Sequence, residues 1–112
     1  MVEQRVIFGL AKRHYADLER VFRRYPQVEK VLIFGSRAKG TDKPGSDFDL
    51  AVIAPTLNDG DFSKLWNEVA DLPLAFKIDL LHWDRLPEER LKRKILAEGK
   101  RFFPLPEENT TR

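Results

Sequence analysis

The 112-residue sequence predicts an α/β (α+β) domain of two layers, with helices backing one small sheet in the order α-β-α-β-α-β-α. Three observations carry that prediction. Val28 to Phe34 is a short, β-branched, almost continuously apolar run, and Asp47 to Ala54 and Leu74 to Trp83 read as a second and a third strand. The stretches between and around them place apolar residues at helical spacing. Prolines at 26, 55 and 73 stand where elements should stop.

Taken in order, Ile7, Leu10, Leu18, Val21, Phe22 and Tyr25 lie largely on one helical face, which predicts a helix from about Glu3 to Tyr25. Its Arg13, Arg20, Arg23 and Arg24 read as a solvated face. The first strand ends at Gly35-Ser36. Arg37 to Gly40 suits a single helical turn, and Thr41 to Ser46, with Asp42, Pro44 and Gly45, has turn chemistry throughout. After the second strand, Asn58-Asp59-Gly60-Asp61 reads as a loop that caps a helix carrying Phe62, Leu65, Trp66, Val69 and Leu72. Past the third strand, Asp84 is expected to cap the last helix, with Pro87, Glu88 and Glu89 in its first turn and Lys92, Arg93 and Lys94 near its end. Gly99 is its expected terminator. Phe102, Phe103 and Leu105 should pack back on the body. Residues 1–105 read as one domain and 106–112 as a flexible polar tail.

Composition narrows the functional classes. At 112 residues, with 42% hydrophobic residues and twelve aromatics, the chain can build one core but not two. A net charge of +2 lacks the concentrated basic face of a nucleic-acid binder, so direct DNA binding is not expected. Without cysteine there is neither a disulfide framework nor a thiolate zinc site, and His14 and His82 have no second ligand at metal spacing. No apolar segment approaches the ~20 residues of a membrane span, and no signal peptide is legible, so a cytoplasmic protein is expected.

The chemistry concentrates in Gly35 to Asp49. Alternation along the second strand puts Asp47 and Asp49 on one face, against Phe48, Leu50 and Val52 on the other. Same-face positions are about 6.5–7 Å apart, close enough for both carboxylates to reach metal ions and phosphate oxygens. In the third strand Lys77, Asp79 and Leu81 share a face, so Asp79 joins the other acids if the strands are neighbours. Three such carboxylates repel one another unless a cation neutralises them, and Mg²⁺ suits an all-oxygen set that leaves room for substrate phosphates. Gly35 permits close backbone approach by a phosphate, Ser36 offers a hydroxyl at a short helix start, and Arg37 and Lys39 are adjacent cations. A P-loop is excluded, because Gly35-x4-Gly40 is followed by Thr41-Asp42 where Lys-Ser/Thr is required.

Gly35-Ser36, ten residues, then Asp47-Phe48-Asp49, with Asp79 in Lys77-Ile78-Asp79-Leu80-Leu81, resembles the nucleotidyltransferase superfamily of DNA polymerase β. It is most similar to the minimal nucleotidyltransferases, over roughly Val28 to Trp83. The resemblance implies a mixed sheet with the acids on its exposed face, two Mg²⁺ ions, and ATP as substrate. By that resemblance Asp47 and Asp49 hold both metals. Asp79 holds the catalytic one and helps to activate the attacking hydroxyl. Gly35 and Ser36 take the β- and γ-phosphates. It also implies a small helical HEPN partner, a toxin for which the transferase is the antitoxin, with AMP passed to a hydroxyl of that protein. The alternative is a nucleotide-binding antitoxin that neutralises its partner by masking alone. Small-molecule modification would need a second domain to form an acceptor pocket, and this chain has no residues left for one.

Overall fold

The computed structural model describes residues 6–7, 10–35, 38, 47–74 and 76–105. The expected turn at 41–46 and polar tail at 106–112 lie outside the described residues, as do Ser36, Arg37 and Lys39.

The chain opens with two short strands, β1 (Val6–Ile7) and β2 (Leu10–Ala11), paired antiparallel as Val6↔Ala11 and Ile7↔Leu10. The expected first helix therefore starts at Lys12 rather than Glu3. Ile7 and Leu10 satisfy helical spacing, but the same residues pair across a hairpin, and that pairing takes their backbone out of the helix. Helix α1 (Lys12–Arg23) buries Tyr15, Leu18, Val21 and Phe22 and ends just before Pro26. Its basic face is engaged in ion pairs: Arg20 with Asp17, Arg23 with Glu19, and Arg24 with Glu68 at 2.7 Å.

The main sheet contains β3 (Lys30–Phe34), β4 (Phe48–Ile53), β5 (Ile78–His82) and β6 (Lys100–Phe103), in the order β5-β4-β3-β6. β3 pairs antiparallel with β4 and β6, while β4 and β5 run parallel. The sheet is thus mixed, and the α+β class expected from the sequence holds. β6 adds a strand where the sequence reading had only a packed tail. It occupies one edge, with a register irregularity opposite Val31 and Leu32. Phe102 and Phe103 are buried there as expected, whereas Leu105 stays 38% exposed.

Helix α2 (Asp59–Ala70) connects β4 to β5, the long crossover that parallel neighbours require. Asn58 caps it by accepting the Asp61 N–H at 2.7 Å, and Asp59 and Asp61 complement its dipole. Phe48, Leu50 and Val52 turn toward α1 and α2 and form the main core with Leu18, Phe22, Leu65 and Val69. Tyr25 donates to Glu68 at 2.6 Å and joins the two helices. Tyr15 donates to the Phe102 carbonyl at 2.7 Å, which ties α1 to β6; burial pushes this phenol up to about 12.

The other face has a smaller core of its own, in which Leu32, Ala51 and Ile53 meet Ile95 of helix α3 (Glu89–Glu98). Two expectations about α3 change. Asp84 lies in a 3₁₀ turn, Trp83–Arg85, and accepts the Ala54 N–H at 2.7 Å instead of capping the helix. Lys92 to Lys94 fall mid-helix, because α3 runs on to Glu98. Lys92 lies 4.4 Å from the Trp83 ring centroid, and its carbonyl accepts the indole N–H. Gly99 ends the helix as expected, since a Cβ there would lie 2.5 Å from the Ile95 carbonyl oxygen. Among the described residues, no helix is long and apolar enough to cross a membrane.

Candidate active site

Strand alternation and register bring the acids together. In β4, Asp49 lies on the face opposite Phe48 and Leu50. In the parallel β4–β5 pair, Asp49 stands directly beside Asp79. Adjacent strands lie about 4.8 Å apart, so the two carboxylates meet. Asp47, one residue before β4, is exposed.

The electrostatics follow from that register. Asp49 is pushed above the usual carboxylate range, first by burial, then by the charge of Asp79, then by that of Asp47, with a further contribution from a hydrogen bond shared with Asp79. Each cause opposes ionisation. The nearest described cation is Lys77, whose Nζ lies 3.7 Å from an Asp79 oxygen. It is 70% exposed, so it compensates only weakly. The Phe48 N–H donates to the Lys77 carbonyl at 3.0 Å, which extends the ladder and keeps Lys77 on the acidic face.

Gly35 closes the other side. Its φ of +79° favours glycine, and a Cβ there would sit 2.7 Å from Asp49 Oδ2. The end of β3 therefore lies against the central acid. Of the seven site residues expected from the sequence, Gly35, Asp49 and Asp79 lie together, Asp47 is exposed just before β4 and acts on Asp49 through its charge, and Ser36, Arg37 and Lys39 lie outside the described residues. Among the described residues, no three acidic or histidine side chains are already gathered as a metal-holding set. Asp49 and Asp79 form the close pair, and Asp47 acts on it at longer range. The donor set still fits Mg²⁺: its ligands are all oxygen, and the excess negative charge is what a divalent cation neutralises.

A cleft of about 200 Å³ opens beside Gly35, lined by Phe34, Leu91, Lys94, Ile95 and Glu98. Sequence reasoning missed it because its walls come from β3 and from α3, which local spacing does not connect.

The polymerase beta, nucleotidyltransferase family model matches residues 16–108. This chain belongs to the polymerase β nucleotidyltransferase family. Two solved structures resemble this nucleotidyltransferase closely in fold. A toxin–antitoxin crystallised with AMP-PNP superposes with a TM-score of 0.64 at 25% identity, over 80% of this chain and 72% of that one. A mutant of the toxin–antitoxin MntA-HpeT, with two aspartates changed to glutamate, gives 0.61 at 21% identity over 80% and 71%. No curated protein matches the chain. The resemblance drawn from Gly35-Ser36, Asp47-Phe48-Asp49 and Asp79 therefore holds for both family and fold.

Proposed function

We propose that this nucleotidyltransferase is the antitoxin of a toxin–antitoxin pair. With Mg²⁺ it transfers AMP from ATP to a hydroxyl of its partner, a small helical protein of the HEPN kind, in the cytoplasm. The observation that carries the reading is the lateral pairing of Asp49 with Asp79, with the Gly35 backbone packed against Asp49. The family match and the AMP-PNP complex of a structural neighbour support a nucleotide substrate, and the toxin–antitoxin neighbours support the kind of partner.

Asp47, Asp49 and Asp79 hold two Mg²⁺ ions in this reading, and these supply charge neutralisation for the triphosphate and for the in-line displacement. Gly35 and Ser36 bind the β- and γ-phosphates, with Arg37 and Lys39 as flanking cations. Asp79 orients the attacking hydroxyl and takes its proton. A bond forms between the acceptor oxygen and the α-phosphorus, the bond from that phosphorus to the bridging oxygen breaks, and pyrophosphate leaves.

The test is incorporation from α-labelled ATP into the product of the reading frame adjacent to this gene, with release of pyrophosphate. Transfer should require Mg²⁺ and vanish in Asp47→Asn and Asp49→Asn. Transfer by both variants at the parent's rate would refute the assignment. If Asp49→Asn neutralises the toxin fully in cells without any transfer, masking rather than chemistry is the antitoxin's mode of action.

A further inference from the structure

Resting on that reading, the strand register indicates where the rest of the nucleotide lies. Antiparallel pairing sets Phe34 opposite Asp49, and parallel pairing sets Asp49 beside Asp79. One row across β3, β4 and β5 thus carries Phe34, Asp49 and Asp79 on the same face of the sheet. Helix α3 packs on that face too, with Phe34 and Leu91 bordering the core around Ile95. With the α-phosphorus at Asp49 and the acceptor hydroxyl at Asp79, the side left for the nucleoside is that of β3.

The cleft of about 200 Å³ beside Gly35 lies on that side. Phe34, Leu91 and Ile95 give it apolar walls, and Lys94 and Glu98, four residues apart on α3, give it a charged lining. Clefts that take a whole drug-sized ligand run to roughly 300–1,000 Å³, so this one admits only part of a nucleotide. That part is not the triphosphate, whose charges lose too much by leaving water for an apolar wall. The base fits instead: it is flat and uncharged, and its π face stacks on an aromatic ring. The cleft is continuous with the site, because Gly35 lines it and also meets Asp49. Two further clefts lie against Trp66 of α2, behind the sheet, and share no wall with Gly35 or the acids.

We infer that the cleft between β3 and α3 is the base subsite of the nucleotide. The adenine stacks on Phe34 against Leu91 and Ile95, and Lys94 donates to a ring nitrogen. The row across the sheet then has three functions in order: Phe34 holds the base, Asp49 serves the phosphorus, and Asp79 serves the acceptor. Phe34 and α3 are what distinguish a nucleotide from a bare polyphosphate.

The experiment measures Kd on the full chain with Mg²⁺, for ATP and for inorganic tripolyphosphate, which keeps the charged tail and lacks the base. Phe34→Leu and the cleft-filling Leu91→Trp should each raise the ATP Kd at least about fivefold, whereas Phe34→Tyr, which keeps the ring, stays within about twofold. Tripolyphosphate affinity should be unchanged in all three, which also shows that they fold. Leu96→Ala, at a residue 49% exposed on the same helix but outside the cleft, should alter neither Kd. An ATP analogue with a photoreactive azide on its base should label Phe34 or α3. Parent-like ATP affinity in Phe34→Leu and Leu91→Trp, equal loss of both ligands in those variants, labelling confined to α2, or no ATP binding by the parent would each overturn the proposal. Failure of the transfer reading is seen separately, as a parent that binds ATP but releases no pyrophosphate with its partner, and the two Kd series then decide the base subsite alone.

Discussion

The two ends of β5 hold acids in opposite surroundings. Past its C-terminal end, Asp84 is provided with a donor: its carboxylate accepts the Ala54 N–H at 2.7 Å and lies 4.0 Å from His82 Nε2. His82, buried and stacked on Phe62, donates to the Ala54 carbonyl at 2.9 Å. At the other end, Asp79 faces Asp49, and Asp49 is held above its ordinary range by burial and by its acidic neighbours. One acid fastens a 3₁₀ turn to β4; of the other two, Asp49 is disfavoured as an anion by its burial and its acidic neighbours. An acid supplied with a donor serves structure, whereas in the proposed function the acids turned toward each other would serve a ligand that brings positive charge.

The sharpest way to break this contrast is to neutralise one acid of each kind. Asp47→Asn and Asp49→Asn should lower transfer by about 10²–10³-fold or more, while Asp84→Asn leaves transfer per folded molecule near the parent's, as measured with α-labelled ATP. Gly35→Ala comes next. The added Cβ meets Asp49 Oδ2, and alanine is strained at φ +79°, so transfer should fall along with about 1–3 kcal/mol of stability by denaturant unfolding. Asp84→Ala should cost a similar 1–3 kcal/mol or so, because the Ala54 N–H loses its acceptor, but without a specific loss of transfer.

The smallest effect has the opposite sign. Asp49→Asn should slightly stabilise the chain, seen as a higher melting temperature in chelator. The sign follows from the raised pKa of Asp49. Protonation favours the fold, so this contribution is full below the unfolded carboxylate pKa and is lost as pH rises through the raised folded value. The parent should therefore lose stability across that acidic window more steeply than Asp49→Asn, in melts taken at a series of pH values.

Much of this contrast was legible in the sequence. Alternation alone put Asp47 and Asp49 opposite Phe48 and Leu50, and put Lys77, Asp79 and Leu81 on a shared face, because strand period is a local property. Gly35 stood out as a break after an apolar run. The surroundings of Asp84 were not legible: its partners, Ala54 and His82, become neighbours only when β4 and β5 align, so a capping role looked equally good from local spacing. β6 was hidden for the same reason, since its pairing of Phe103 with Val31 joins distant segments. The opening hairpin was lost to an ambiguity of pattern, Ile7 and Leu10 fitting both a helix and a tight pair.

The central claim is that Asp49 and Asp79, with Asp47 nearby, form a divalent-cation site, and Mn²⁺ binding in the presence of ATP tests it most directly. Titration calorimetry should show binding to the parent and to Asp84→Asn, with loss of at least tenfold in affinity in both Asp49→Asn and Asp79→Asn. Parent-like Mn²⁺ affinity in Asp49→Asn would contradict the account.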